Sequence, residues 1–89
     1  MRNISITAQF KRDVKKIKKA GKDAAKLREI IEKIADGKGL DEKYRDHALT
    51  GNYRHARECH IEPDWLLIYK STKENLILIR TGSHSELFK

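Results

Sequence analysis

Cys59-His60-Ile61-Glu62-Pro63-Asp64-Trp65-Leu66-Leu67-Ile68-Tyr69-Lys70 decides the fold of this chain. Two strand-like apolar runs flank Glu62-Pro63-Asp64. Proline presets the backbone for the second position of a turn, and aspartate bonds its own backbone, so the chain reverses there. The first run extends back to Tyr53, and the second ends at Lys70. A third run, Leu76 to Thr81, follows Ser71-Thr72-Lys73-Glu74-Asn75. Both links are short, so the three runs are expected to form an antiparallel meander.

Upstream, Asn3 to Thr7 alternates with Ile4 and Ile6 on one face, the pattern of a short strand. Thr7 is placed to cap a helix. Phe10, Val14 and Ile17 follow at helical spacing, and Ala20-Gly21 ends the stripe. A second helix is expected from Lys22 or Asp23, with Leu27, Ile30, Ile31 and Ile34 inward and Asp36-Gly37-Lys38-Gly39 as its stop. Two such helices joined by a glycine turn form a hairpin. Leu66, Leu67, Ile68, Leu76, Ile77, Leu78 and Ile79 are apolar on both faces, as in central strands, so the hairpin must cover one face. In the tail, Ser83 and Glu86 have capping-box spacing, and Leu87 and Phe88 can anchor one helical turn on the core. The expected fold is α+β: a small antiparallel sheet in the order β-α-α-β-β-β, a helical hairpin on one face, and a short C-terminal turn. The length of 89 residues allows one domain, residues 1–89.

The charge is locally concentrated. Lys and Arg total 20 against 13 Asp and Glu, a net +7. Lys11, Arg12, Lys15, Lys16, Lys18, Lys19, Lys22, Lys26 and Arg28 crowd the helices, opposed there only by Asp13 and Asp23. Such a face suits a polyanion, because neutralised phosphates release counterions. It also suits a merely solvated helix. The single cysteine, Cys59, excludes an intrachain disulfide and fits a reducing compartment. Met1 to Phe10 carries no long apolar segment, and no run is long enough to span a bilayer. A cytoplasmic protein without a membrane partner is expected.

His47, His60 and His84 fall at strand ends or in loops, and Asp64 and Trp65 flank the turn after His60. Functional groups collect at such positions on a rigid scaffold. The set suits RNA cleavage by internal attack of a ribose 2′-OH on its own phosphate. Histidine, with an unperturbed pKa of about 6.5, can take or give a proton near neutral pH. Asp64 can act as a base or orient an imidazole. Arg57, Arg80 or a lysine can hold the phosphate charge. Trp65 or Phe88 can stack on a base. Taken singly, each residue also has a plainer reading: a surface histidine, a turn aspartate, core aromatics. The spacing of His47, His60, Asp64 and His84 matches no strong zinc pattern, so neither metal nor other cofactor is expected. Cys59, mid-strand among apolar neighbours, reads as packing.

Three segments together resemble the YafQ branch of RelE-type toxins: Arg57 to Tyr69, Arg80 to Phe88, and Arg45-Asp46-His47-Ala48-Leu49-Thr50-Gly51. With the element order, the likeness covers nearly the whole chain. The resemblance implies a ribosome-dependent mRNA endonuclease, or mRNA interferase, of a type II toxin–antitoxin pair. It implies an antitoxin encoded beside the toxin, a target in the ribosomal A site, and operator DNA reached only through the antitoxin complex. Carried over by position, the active-site set is His47, His60, Asp64, Trp65, His84 and Phe88. His84 is then expected as general acid, and Asp64 with His47 or His60 as the group activating the 2′-OH. Lys11 to Arg28 is expected to grip ribosomal RNA. His55 has no counterpart in the pattern and reads as an ordinary strand residue. The competing reading is a superfamily member that acts by binding, either a gyrase-directed ParE-like toxin or a plain RNA-binding module.

Overall fold

A computed structural model describes residues 1–88; Lys89 lies outside them. Strand β1 (Asn3–Ile6) leads into helices α1 (Ala8–Lys19) and α2 (Ala24–Ala35). Strand β2 (His47–Ala48) precedes the meander β3 (Arg57–Glu62), β4 (Trp65–Ser71) and β5 (Asn75–Gly82), and the turn α3 (His84–Leu87) ends the chain. Short 3-10 turns stand at Glu42–Tyr44 and Gly51–Tyr53.

The strands lie in the order β1-β5-β4-β3-β2. The meander is antiparallel, as its short links require. Strand β1 pairs with β5 in parallel, so the whole sheet is mixed. The helical hairpin returns the chain across the sheet between these two strands, and such a connection permits parallel neighbours. Thr7 ties the joint: its hydroxyl accepts from the Phe10 N–H at 2.9 Å, capping α1, and donates to the Ile79 carbonyl at 2.8 Å. Asp23 caps α2 through the Ala25 N–H at 2.9 Å.

The sequence reading starts the first meander strand too early. Tyr53 lies in a 3-10 turn, and β3 begins at Arg57. His55 is no strand residue: it precedes β3 with φ 74°, a left-handed conformation uncommon outside glycine. The intervening loop lets β2 pair back onto Arg57 and Glu58.

Alternation divides the sheet. Phe10, Ile17, Leu27, Ile30 and Ile34 of the helices pack on Cys59, Ile61, Trp65, Leu67, Tyr69, Leu76 and Leu78. On the other face, Leu66 and Ile68 are covered by Ala56 and Leu87, with half-buried Leu49, Tyr53, Ile79 and Phe88 around them. This second layer explains why β4 is apolar on both sides.

One charged group enters the helix side. Asp13 is 4% exposed and receives Arg80 twice, at 2.8 and 3.1 Å, and the Thr81 N–H at 3.2 Å. Burial alone lifts such a carboxyl, but hydrogen bonds from Arg80, Gln9 and the Thr81 amide outweigh it and hold Asp13 below its ordinary pKa. Asp13→Ala would strand Arg80 and the Thr81 amide. We expect a loss of about 3 kcal/mol, seen as a lower urea midpoint at unchanged slope. A carboxyl with a depressed folded pKa stabilises above its ordinary value of 3.8 and ceases to do so as pH falls through the folded value. The gap between wild type and variant should therefore narrow below about pH 4.

Candidate active site

The face of the sheet opposite the helices carries a cluster of titratable groups. Period-two alternation puts Glu58 and His60 on this face, while Arg57, Cys59 and Ile61 face the helices. His47 lies directly opposite Glu58 in the β2–β3 pair. Glu58 is 4% exposed and stands between two imidazoles: its carboxylate oxygens lie 3.6 Å from His47 Nε2 and 3.5 Å from His60 Nε2. The other ring nitrogens face backbone carbonyls. His47 Nδ1 is 2.8 Å from the Arg45 carbonyl and His60 Nδ1 is 3.3 Å from the Pro63 carbonyl. A carbonyl only accepts, so each Nδ1 carries a proton and each Nε2 is left to take one beside the carboxylate.

Glu58 is a site residue outside the set expected from the sequence motifs. The available signal was a carboxylate two residues before His60 on a strand, hence on the same face.

His84 opens α3 at the end of β5. Ser83 and Glu86 complete a capping box there. The Asp64 carboxylate accepts the His84 N–H at 3.0 Å, tying this turn to the β3–β4 link. Phe88 packs against the His84 imidazole, with ring centroids 4.9 Å apart, and Tyr53 meets Phe88 edge-on at 5.6 Å. The imidazole is thus backed by aromatic rings while His84 itself stays exposed.

Two expected substrate contacts sit elsewhere, and a third is already paired. Trp65 is 0% exposed, and its indole N–H donates to the Thr81 hydroxyl at 3.0 Å. It belongs to the core under the turn and offers no face to a base. Arg57 lies on the helix side and pairs with Asp46 at 2.7 Å. The phenol of Tyr69 also donates to Asp46. Arg80 is occupied by Asp13. Cys59 is fully buried, and burial pushes its thiol up to about 12, so packing is its role.

The basic helices keep Lys11, Arg12, Lys15, Lys18 and Lys19 exposed, whereas Lys16 pairs with Glu86 at 3.3 Å and Lys22 with Glu62 at 3.5 Å. Among the described residues, no three His, Cys, Asp or Glu side chains converge as ligands for one metal ion. No helix among them is long and apolar enough to cross a membrane.

The family described as bacterial toxin of type II toxin-antitoxin system, YafQ, matches residues 2–89. This chain belongs to that family. The mRNA interferase toxin YafQ of Escherichia coli K12 is 40% identical over 88 residues, covering 98% of this chain and 96% of that protein. YafQ in the crystal structure of the E. coli DinJ-YafQ toxin-antitoxin complex superposes with a TM-score of 0.92 at 39% identity, covering 99% of this chain and 98% of that one. A metal-bound toxin from Helicobacter pylori superposes equally well, at TM-score 0.92 and 41% identity, covering 99% of this chain and 100% of that one.

The capping box makes a local prediction. The Ser83 N–H and hydroxyl, with Lys16, hold the Glu86 carboxyl down to about 2. Its contribution to α3 is therefore complete above the ordinary value of 4.5 and is lost as pH falls from there toward 2. Amide protection factors at Leu87 and Phe88, referred to the intrinsic exchange rate at each pH, should fall across that window. Ser83→Ala should lower them at neutral pH, for a cap worth about 1 kcal/mol.

Proposed function

We propose that this chain is the toxin of a type II pair and acts as a metal-independent mRNA endonuclease in the ribosomal A site. The observation that carries the reading is the pair His47 and His60 on one buried carboxylate, with His84 on the adjoining turn. The relative named mRNA interferase and the relative crystallised with DinJ support the substrate and a cognate antitoxin for this chain.

The chemistry balances within these groups. His60 Nε2, with His47 as its partner across Glu58, takes the 2′-OH proton. The freed oxygen attacks the adjacent phosphorus, and the bond from phosphorus to the leaving 5′-oxygen breaks. His84 gives that oxygen a proton. The products are a 2′,3′-cyclic phosphate and a 5′-hydroxyl end. Glu58 lies where it stabilises the imidazolium that forms. Asp64 acts through its hydrogen bond to the His84 amide, placing the acid rather than taking the proton. Phe88 keeps the imidazole in place. The exposed lysines Lys11, Lys15, Lys18 and Lys19, with Arg12, grip ribosomal RNA, which makes ribosome binding steeply salt-dependent.

The test is cleavage of mRNA, free and programmed into ribosomes, with and without prior chelation of the protein. The Helicobacter relative has been solved metal-bound, so the chelated arm is needed. We expect cutting on ribosomes only, undiminished by chelation. His84→Ala should slow cutting about a thousandfold and Glu58→Gln about a hundredfold, both with folding retained. Folded protein that cuts in neither format would instead favour the gyrase-directed or plain binding reading. Cutting lost after chelation would overturn metal independence.

A further inference from the structure

The strand that carries the reacting phosphate has further phosphates to be held. Arg57 and Arg80 each already have a carboxylate partner, Asp46 and Asp13. The open edge of β3 offers cations that have none. Strand β2 pairs only with Arg57 and Glu58, so no strand covers the edge beyond them. The 3-10 turn Glu42–Tyr44, Arg45, Lys26 near the start of α2, and the β3–β4 turn surround this edge and leave a cavity of about 410 Å³. Its lining includes Lys43, Arg45, His60, Ile61 and Pro63.

Several features give this cavity its character. It shares His60 with the catalytic cluster, so an occupant lies next to one of the groups that act on the RNA. The carboxylate that lines it, Glu62, is neutralised by Lys26 at 2.9 Å and Lys22 at 3.5 Å. Lys43 and Arg45, by contrast, have no anionic partner within ion-pair distance among the described residues. Arg45 stands in the left-handed region at φ 49°, where few non-glycine residues sit, and its carbonyl is the group that holds the His47 ring. Ile61 and Pro63 add an apolar wall beside these cations. The size fits a small polar ligand.

We infer that this cavity is the subsite for the nucleotide adjoining the cut, with Arg45 and Lys43 holding its phosphate and the Ile61–Pro63 wall its sugar. The occupant is single-stranded RNA. The guanidinium fork of Arg45 matches a phosphate bidentately, and Lys43 adds a point charge. The inference rests on the endonuclease reading, and it makes Arg45 a substrate-binding residue rather than an acid or base.

Two measurements on programmed ribosomes test it. One is steady-state cleavage. The other is binding to ribosomes carrying mRNA with a 2′-deoxy nucleotide at the cut, which cannot react. Arg45→Gln should raise KM about tenfold with kcat little changed and weaken binding to the uncleavable complex by the same factor. The log–log salt dependence of that binding should become shallower by about 0.7, the share of one single-strand phosphate. Arg45→Lys should recover part of the affinity. Lys73→Gln removes the same charge from the β4–β5 turn and should change nothing. The subsite is disproved if the double variant Arg45→Gln, Lys43→Gln behaves like Lys73→Gln while wild type cuts. It is equally disproved if the double variant weakens only binding of the cognate antitoxin. Arginine-dependent binding by a wild type that never cuts would keep the subsite and discard the endonuclease reading.

Discussion

A single buried carboxylate joins the parts of this fold. Asp13 of α1 receives Arg80 and the Thr81 amide of β5. The Thr81 hydroxyl in turn accepts from the Trp65 indole and donates to the Leu66 carbonyl of β4. Helix, last strand and central strand are therefore pinned at one end of the sheet. Asp64 immediately precedes Trp65, and Ser83 and His84 follow Thr81 by two and three residues. The hydrogen bond from the His84 amide to Asp64 spans two segments whose positions this network has already set. A buried ion pair of this kind is weak as a source of stability but strong as a source of register, because any other alignment leaves its charges unpaired.

The basic surface follows from the same economy of acids. In the stretch Lys11 to Arg28 the acidic residues both have structural duties, Asp13 on β5 and Asp23 as the cap of α2. Neither is left to neutralise the outward lysines of α1. Glu62 and Glu86 do take lysines, and all three pairs lie beside the site: Lys22 and Lys26 on the β3–β4 turn, Lys16 on α3. Ion-paired joints thus brace the turns that carry His60 and His84, while unpaired charge remains on the helix face and at the open edge of β3.

Local rules made much of this legible. The proline turn, the glycine stops, the Thr7 cap and the Ser83–Glu86 box depend on neighbours a few residues away, and the helices, the meander and the final turn appear where those signals stand. The parallel seat of β1 and the two-residue β2 depend on long-range pairing that no local pattern encodes. The site divides in the same way. His60 and His84 stand beside turns that local signals mark, whereas the strand seat of His47 comes from the long-range pairing of β2. The fates of Arg57, Arg80 and Trp65 turn on which face each residue meets, and so on Asp46, Asp13 and Thr81, distant partners in the chain. Residue type alone suggests the arginines as phosphate ligands; tertiary pairing adds that each also braces the fold.

Glu58 shows the converse. Its neighbours on the covered face are Leu66 and Ile68, and an apolar side chain would suit that surface better. The residue is 4% exposed, yet its imidazole contacts at 3.5 and 3.6 Å are longer than hydrogen bonds. Burying a carboxylate on such terms is costly, and the arrangement offers stability little in return. Its chemical return is larger, because a proton arriving on either imidazole finds the counter-charge already in position. Where packing and local electrostatics conflict while the rest of a fold agrees with itself, function is the expected reason. The conflict at Glu58 is sharper than at any of the three histidines beside it, since each of those is also at home on a protein surface.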